Sequence, residues 1–331
     1  MAGSGFGTNF RITTWGETHG AGVGVVVDGC PAGLPLERED VQKYLDRRKP
    51  GQSKYTTQRK EGDQVEILSG IFEGRTTGTP ISMVVYNKDQ RSKDYSNIKD
   101  IYRPGHADFT FDMKYGFRDY RGGGRSSGRE TIGRVAAGAV AAKVLKELGI
   151  EIKAYAKAIA GIEVSKEHFD FAEMNNNPFN MPDKEAAKLV QEKADQMIKE
   201  MDSIGGIIEC QITGMPVGIG ETVFDKLDAE LSKAIMSIGS VKGFEIGDGF
   251  EAANLRGSEN NDDFICVDGK VEKETNHSGG VLGGMSDGSA IVFRAAIKPT
   301  PSIAQTQKTV NRDLDNVELS LIHISEPTRP E

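Results

Sequence analysis

The stretch SGRETIGRVAAGAVAAKVLKELG, residues 127–149, carries the strongest secondary-structure signal in the chain. Its apolar residues recur at helical spacing, which predicts an amphipathic helix. We expect Ser127 to be the N-cap, Glu130 to complete a capping box, and Gly149 to end the helix. Small residues also recur along it at i, i+4 and i+8: Gly133, Ala137 and Ala141. Because such a row permits close packing, we expect this helix to be central to the fold.

Other elements can be predicted on both sides of this helix. Runs of β-branched and apolar residues predict strands at 22–29, 64–72, 80–87, 205–213 and 290–298. Apolar periodicity and charge placement predict helices at 35–51, 183–203 and 226–238. The region 102–127 looks loop-like. Helices grouped between runs of strands favour an α+β fold over a doubly wound parallel sheet.

The composition is that of a globular protein and restricts its partners. The 331 residues are 37% hydrophobic and 27% charged, with a net charge of -8, so nucleic acid and acidic membrane surfaces are not expected partners. Three cysteines stand far apart without metal-ligand spacing: Cys30, Cys210 and Cys266. We therefore expect no metal site and a reducing, cytoplasmic location, since no signal peptide or membrane span is evident either.

A basic, glycine-rich segment within this acidic chain indicates an anion site. Residues 114–134 contain six basic side chains and two acidic ones. Glycine backbone N–H groups and the N-terminus of the following helix would add to a phosphate or carboxylate cradle. The alternative is a flexible loop with solvated arginines. The segment matches neither a Walker loop nor a dinucleotide fingerprint.

Two histidines stand in glycine-containing turns, His19 in WGETHG and His106 in RPGHAD. Together they suggest proton donors or acceptors that work near neutral pH, although each histidine could instead be structural. Two further stretches, NHSGGVLGG at 276–284 and KPTPS at 298–302, could be simple turns. Lys298 could also meet a cofactor phosphate, with hydroxyl donors following it.

Several of these motifs together resemble the signature blocks of the chorismate synthase family. They are GETHG, RPGHAD and RGGGRSSGRETIGRVAAGA, and the resemblance continues through DRRKPGQSKYTTQR, GTPISM, SIGSVKGFEIGDGF and KPTPS. The resemblance covers almost all of residues 5–318. It implies one domain over 1–318, built as a β-α-β sandwich with helices packed between two antiparallel sheets and assembled as a homotetramer.

The resemblance also implies a reaction. Chorismate synthases convert 5-enolpyruvylshikimate 3-phosphate to chorismate and phosphate by an anti 1,4-elimination that uses reduced FMN without net redox change. Such a site needs arginines for the anions and proton donors beside substrate and flavin. Because no added reductase domain is visible, we expect FMN to be reduced externally, by a flavin reductase or another reductant, and not by this chain with NADPH.

Site residues follow from the resemblance by position. His19 and His106 resemble the catalytic histidines, the first protonating the departing phosphate and the second stabilising reduced flavin. The residues that resemble substrate contacts are Arg48, Lys54, Arg103, Arg129 and Thr18. Those that resemble flavin contacts are Arg125, Ser126, Ser127, Gly239, Ser240, Gly283, Lys298, Pro299, Thr300, Pro301 and Ser302. Lys54 stands where arginine is also common, and Thr18 where serine is usual.

Two other functions compete with this interpretation. The arginine loop could serve a non-catalytic phosphate-binding module, although the net charge and the lack of an aromatic stacking set argue against RNA. A phosphoryl transferase is the second alternative. It would need a Walker lysine and a magnesium carboxylate pair, which the sequence does not display.

The last residues, LSLIHISEPTRPE at 319–331, depart from the family pattern. Chorismate synthases continue here with an Arg-His-Asp-Pro block whose arginine and aspartate act beside the flavin. Residues 319–329 instead match one reading frame of a transposase-type sequencing adapter. We therefore expect 319–331 to be a non-native tail, and this chain to bind FMN weakly and turn over little.

Overall fold

The structure is a computed structural model that describes residues 3–55, 61–88 and 98–320. The chain divides into two compact units, and each is described by itself. The first consists of Met1–Val144, Met197–Ser203 and Thr300–Glu331, and the second of Leu145–Gln196 and Ile204–Pro299. The single domain expected over 1–318 stays a prediction.

The strands, in chain order, are β1 (Gly5–Phe6), β2 (Arg11–Gly16), β3 (Gly22–Asp28), β4 (Val65–Ile67), β5 (Ile71–Phe72), β6 (Arg75–Thr76), β7 (Ile81–Tyr86), β8 (Glu151–Ile159), β9 (Ile162–Glu163), β10 (Gly206–Thr213), β11 (Val241–Ile246), β12 (Phe264–Val267), β13 (Lys270–Lys273), β14 (Val281–Leu282), β15 (Met285–Ser286), β16 (Ile291–Ile297), β17 (Gln307–Val310) and β18 (Asn316–Leu319). The α-helices are α1 (Arg38–Arg48), α2 (Asp108–Tyr115), α3 (Thr131–Glu147), α4 (Lys184–Glu200), α5 (Leu227–Met236) and α6 (Gly257–Asn260). Short 3₁₀ turns lie at Gly124–Ser126, Gly128–Glu130, Phe171–Asn175 and Gly249–Asn254.

Sheet 1, in the first unit, is antiparallel with the strand order β1-β2-β3-β7-β4. Its central strand β3 presents Val23, Val25 and Val27, all fully buried, to a core shared with α1 and α3. Each such side chain contributes roughly 1.5–3 kcal/mol by its burial. Between these valines, Gly24 leaves room for the ring of Trp15 on β2, because a Cβ there would lie 2.3 Å from Cζ2 of the ring.

Helix α3 packs closely on sheet 1, as the row of small residues predicted. At Gly133 even an alanine would be crowded, since its Cβ would lie 3.0 Å from Cγ2 of Thr14 and 3.1 Å from the carbonyl oxygen of Gly24. The helix ends as predicted. Gly149 has a φ of +75°, its N–H bonds to the carbonyl of Lys146, and the next N–H bonds to that of Leu145.

The predicted start of α3 is wrong in detail. Ser127 caps a 3₁₀ turn, and its Oγ accepts a hydrogen bond from the N–H of Arg129 at 3.4 Å. Glu130 does not complete a capping box, because its carboxylate is taken up by Thr14 Oγ1 at 2.9 Å and by Nε of Arg134 at 2.8 Å. A distant strand therefore competes successfully for the side chain that the local pattern assigned to the cap.

The second unit contains sheet 2, which is antiparallel in the order β11-β16-β10-β8-β9. Helix α5 packs on one cluster of its apolar residues, around Ile291 and Phe293. Helix α4 packs on another through Ala186, Ala187 and Val190. Both units thus combine an antiparallel sheet with helices, and the predicted α+β fold class is confirmed.

Most predicted elements are present, but one helix and several strands were missed. The five predicted strand regions contain β3, β4 with β5, β7, β10 and β16, and the three predicted helices are α1, α4 and α5. The region 102–127, predicted as loop, contains helix α2. Strands β2, β8 and β11 were also missed, because polar or small residues interrupt their apolar pattern and tertiary pairing defines them. No helix within the described ranges has the length and hydropathy to cross a membrane.

The end of the chain is partly described. Leu319 closes β18, is 5% exposed and packs with Ile98. The predicted non-native tail falls mostly on 321–331, which lie outside the described residues, so its origin stays a prediction.

Candidate active site

The glycine loop at 121–127, in the first unit, lies against the first predicted histidine. Gly122 has a φ of +61°, and a Cβ on it would lie 2.6 Å from Cδ2 and 2.8 Å from Nε2 of His19. His19 is 5% exposed and Thr18 is 6% exposed. Only glycine fits this contact, so the GETHG turn and the arginine loop form one surface.

Two features surround His19. The carboxylate of Asp119 lies close enough for the charge of His19 to act on it, and its pKa is lowered, chiefly by a hydrogen bond from the side chain of Arg121, while burial opposes the shift. Oγ1 of Thr18 is buried and has no hydrogen-bond partner within the described part of the chain. The site thus presents a hydroxyl group that no described residue satisfies.

Two of the predicted substrate arginines share one carboxylate. Oδ2 of Asp63 lies 2.6 Å from Nη1 of Arg48, and Oδ1 lies 3.2 Å from Nη1 of Arg129. Nε of Arg48 also donates to Oγ1 of Thr131 at 3.1 Å, and its Nη2 to the carbonyl of Gly128 at 3.5 Å. The end of α1 is therefore joined to the start of α3 through side chains.

Asn87 connects this arginine pair to the histidine turn. Its Oδ1 accepts from Nη2 of Arg129 at 3.0 Å. Its Nδ2 donates to the carbonyls of Glu17 and Gly20, both at 2.9 Å. These carbonyls bracket His19, so one amide fixes the turn that carries the histidine relative to the arginine.

His106 is held at both ring nitrogens. Nδ1 lies 2.9 Å from the carbonyl of Pro104, which can only accept, so Nδ1 carries a proton. Nε2 lies 2.9 Å from Oγ of Ser302, which is 5% exposed. In the neutral ring Nε2 therefore accepts from Ser302, and in the protonated ring it donates to it.

Arg103 is paired within the protein, although the resemblance predicted a substrate contact. Its Nε and Nη2 bind the two carboxylate oxygens of Asp108 at 2.8 and 3.0 Å, a two-pronged ion pair. Burial opposes ionisation of Asp108, but Arg103 outweighs it and the pKa of Asp108 is lowered. A Cβ on Gly123 would lie 3.8 Å from Nη2 of Arg103, so this pair also borders the glycine loop.

The predicted flavin contacts in the loop itself make internal hydrogen bonds. Arg125 donates to the carbonyls of Thr14 and Gly16, both at 3.2 Å, and to Oγ1 of Thr14 at 2.7 Å. Ser126 Oγ donates to the loop backbone, and Ser127 caps the N–H two residues on. These contacts anchor the loop on β2, and flavin contact by these three residues stays a prediction.

The remaining predicted residues of the first unit are Lys54, Thr300 and Pro301. Lys54 is exposed, with Nζ 4.9 Å from the centre of the Tyr55 ring. Thr300 is 9% exposed, and its carbonyl accepts from Oγ of Ser203 at 2.7 Å. The carbonyl of Pro301 accepts from the side chain of Gln307 at 3.3 Å. The contacts of Thr300 and Pro301 fix the segment that presents Ser302.

Five predicted flavin contacts belong to the second unit. Ser240, with a φ of +71°, precedes β11, and its carbonyl accepts from the N–H of Lys298 at 3.0 Å. This contact brings Gly239 and Pro299 to the same end of the sheet by chain connectivity. Gly283 lies elsewhere, in the turn between β14 and β15, with a φ of +60°.

Sequence reasoning missed Asp63 and Asn87. Neither stands in a recognisable motif, and they lie 15 and 42 residues from their arginine partners Arg48 and Arg129. The one local signal is the φ of +39° at Asp63, which only the structure reveals. Asp63 is also 2% exposed, and a carboxylate this buried is a candidate for a role in the site.

A family model described as chorismate synthase matches residues 10–326. This chain belongs to the chorismate synthase family. Among its relatives, a protein named chorismate synthase from Lachnospira eligens is 68% identical over 97% of this chain and 88% of its own length. One of the same name from the more distant Methanococcoides burtonii is 56% identical over 100% and 91%.

A solved structure titled "Crystal Structure of Chorismate Synthase" matches with a TM-score of 0.75 at 31% identity, over 89% of this chain and 85% of that one. The fold class is confirmed by this match, and so is the family resemblance. The chain is thus a lyase of aromatic biosynthesis that acts on a small molecule, and the two alternatives, a phosphate-binding module and a phosphoryl transferase, are not favoured.

Proposed function

We propose that this protein is a carbon–oxygen lyase acting on a phosphate ester: it eliminates phosphate from 5-enolpyruvylshikimate 3-phosphate to give chorismate, with reduced FMN as cofactor. The observation that carries the proposal is that the glycine loop of the first unit lies against His19 and leads into Arg129, which shares the carboxylate of Asp63 with Arg48. A phosphate and two carboxylates need such a set of cations.

Two buried polar atoms support a ligand at this loop. Among the described residues, neither Oγ1 of Thr18 nor Nε of Arg129 has a hydrogen-bond partner, and both atoms are inaccessible to solvent. Leaving a buried donor unsatisfied costs about 1–3 kcal/mol, more for a charged group. An anion that reached either donor through a small shift of the surrounding side chains would remove this cost, as expected for a phosphorylated, carboxylated substrate.

We also propose flavin contacts in each unit, as the family resemblance implies. In the first unit Gly122 approaches His19 so closely that a side chain there would take up the space beside the ring, and the proposed contacts are His106, Ser302 and Thr300. The proposed flavin contacts that belong to the second unit are Gly239, Ser240, Gly283, Lys298 and Pro299. When bound, reduced FMN supplies a transient electron that helps to expel phosphate.

The protein's own groups would handle the anions and the protons. Arg48 and Arg129 would bind the substrate anions, with Lys54 and Arg103 contributing charge nearby. His19, buried beside Asp119, would protonate the departing phosphate. His106, with a proton fixed on Nδ1 by the Pro104 carbonyl, would keep Nε2 available to exchange a proton through Ser302.

The wider setting follows the family. We propose a single functional domain over 1–318, a homotetramer in the cytoplasm, and reduction of FMN by an external reductase or reductant. Flavin reduction by NADPH with the purified protein alone would contradict the last point.

The test is anaerobic turnover by the purified chain. With 5-enolpyruvylshikimate 3-phosphate and excess chemically reduced FMN we expect phosphate and chorismate in equal amounts, formed slowly because this chain is expected to turn over little, whereas oxidised FMN should give neither. His19→Ala should slow product formation by about 100-fold or more, the usual scale of a lost general acid. Phosphate release from ATP without flavin would instead support the phosphoryl transferase.

A further inference from the structure

We propose that Asp63 is a positioning residue: its carboxylate sets the spacing and orientation of Arg48 and Arg129 so that both can bind the substrate anion. The inference rests on the proposed function, because it assigns a role within the same site. Asp63 would not touch the substrate itself. It would act through the two arginines.

The geometry shows one carboxylate holding two guanidinium groups. Its two oxygens are divided between them, 2.6 Å to Arg48 and 3.2 Å to Arg129. The Asp63 side chain has no solvent exposure, and each arginine side chain is 5% exposed. A backbone φ of +39° places Asp63 in the left-handed region, which an aspartate tolerates better than most residues. The chain accepts this backbone at the point where the carboxylate reaches both arginines.

The arginines come from separate elements and repel each other. Arg48 ends α1, and Arg129 belongs to the turn before α3. Arg48 also reaches that turn through Oγ1 of Thr131 and the carbonyl of Gly128, but among the described contacts it is Asp63 that binds both guanidinium groups. Two guanidinium groups held by one carboxylate carry like charges and repel each other. A shared carboxylate offsets this repulsion and fixes both forks at once.

Net charge alone does not explain the arrangement. Oε2 of Glu61, which is also buried, lies 3.9 Å from Nη2 of Arg129. Two arginines and two carboxylates sum to zero charge, so anion binding here depends on where the N–H groups point. Asp63 therefore carries the wrong charge to attract an anion. Its position between the two arginines instead suits it to hold them in place.

The two possible roles of Asp63 predict opposite changes in anion affinity for one substitution. Asp63→Asn keeps the shape and removes one negative charge. If Asp63 were only a counter-charge, the variant would bind an anion more tightly. If Asp63 positions the arginines, we expect the variant to bind 5-enolpyruvylshikimate 3-phosphate at least tenfold more weakly, measured by calorimetry without flavin. Equal or tighter binding would overturn the inference.

A matched control separates positioning from general destabilisation. Glu209→Gln, in the second unit, also turns a buried carboxylate paired with an arginine into an amide. Its thermal midpoint should fall while its substrate affinity stays within about twofold of the parent, as expected for a residue that shares no partner with Asp63, Arg48 or Arg129. If Asp63→Asn does not fold, Asp63→Glu keeps the charge and displaces it, and at least threefold weaker binding is expected. Parent-like affinity in that variant would count against positioning.

Two further readouts distinguish failure of this inference from failure of the proposed function. In an Arg129→Ala background, Asp63→Asn should add a smaller loss than it causes in the parent, because only the part of its effect that passes through Arg48 remains. A crystal structure of Asp63→Asn should show Arg48 or Arg129 displaced or in several rotamers. Both arginines at their parent positions would refute the inference, whatever ligand the protein proves to bind.

Discussion

Two arginines, one in each unit, show how differently a charged group can be accommodated. Arg294 on β16 has every guanidinium nitrogen engaged: Nε with Glu245 at 2.6 Å, Nη1 with Glu209 at 3.5 Å, and Nη2 with the carbonyl of Gly247 at 2.5 Å. Arg129 has its two Nη groups on Asp63 and Asn87, while its Nε has no partner among the described residues. Yet the Arg129 side chain is the more buried, at 5% exposure against 22%.

The strand register explains why every guanidinium nitrogen of Arg294 has a partner. Glu209 and Glu245 stand directly opposite Arg294 on the two neighbouring strands, and Tyr155 stands opposite Glu209, to which its hydroxyl donates. Such cross-strand pairs stabilise a sheet. The partners of Arg129 come from loops, and they leave its Nε–H without an acceptor among the described residues. The comparison teaches that Arg294 has the complete set of partners of a structural charge, whereas Arg129, beside the glycine loop, keeps a donor that a ligand could use.

The largest expected effect tests the arginine with the incomplete set. Arg129→Lys keeps the charge but loses the fork, and we expect about 100-fold weaker binding of 5-enolpyruvylshikimate 3-phosphate, about 2.8 kcal/mol. Isothermal calorimetry on the purified chain measures it. The matched variant Arg294→Lys should leave the affinity within about twofold, and a comparable loss there would break the comparison.

The second effect concerns the stability that the side chains around Arg294 contribute to the second unit. Tyr155→Phe removes the donor to buried Glu209 and should lower the free energy of unfolding by about 1–3 kcal/mol, measured by denaturant titration. Substrate affinity should not change. A variant as stable as the parent would show that this hydrogen bond contributes nothing net.

A smaller effect, with opposite signs for stability and binding, is expected at Thr18. Thr18→Val removes the hydroxyl that lacks a described partner, so stability should be unchanged or rise by up to about 1 kcal/mol. Ligand binding should weaken by about threefold to tenfold if that hydroxyl bonds a ligand, which is about 0.6–1.4 kcal/mol. Thr18→Ser is the control and should bind like the parent. Loss of stability in the valine variant would indicate a protein partner instead.

The smallest effect is a pH dependence at the paired arginine of the site, Arg103. The pKa of Asp108 is lowered in the folded protein, because Arg103 outweighs the cost of burial. Its stabilisation is therefore present above the unfolded pKa of about 3.9 and is lost as pH falls through the lower folded value. The stability gap between the parent and Asp108→Asn should be constant from pH 7 to 5 and narrow below pH 4. A gap independent of pH would contradict this.

Sequence patterns predicted elements well where the periodic signal lay in the element itself. A run of β-branched residues bounded by glycines predicted β3, and the row of small residues along α3 predicted that this helix would pack closely. The capping box failed because Thr14, 116 residues from Glu130, binds that carboxylate instead. Helix α2, which ends at the αL glycine Gly116, was missed because its sequence DFTFDMKY carries no clear apolar stripe.

The same division holds for the site. The sequence by itself determined the family, the two histidines, and the arginine-rich glycine loop, since these depend on residue types in contiguous motifs. Only the tertiary structure revealed that Asp63 joins Arg48 to Arg129, that Asn87 ties Arg129 to the His19 turn, and that Ser302 meets His106 across 196 residues. The physical reason is that a motif specifies local chemistry, whereas buried charges take partners from wherever the packed chain brings them within hydrogen-bond distance.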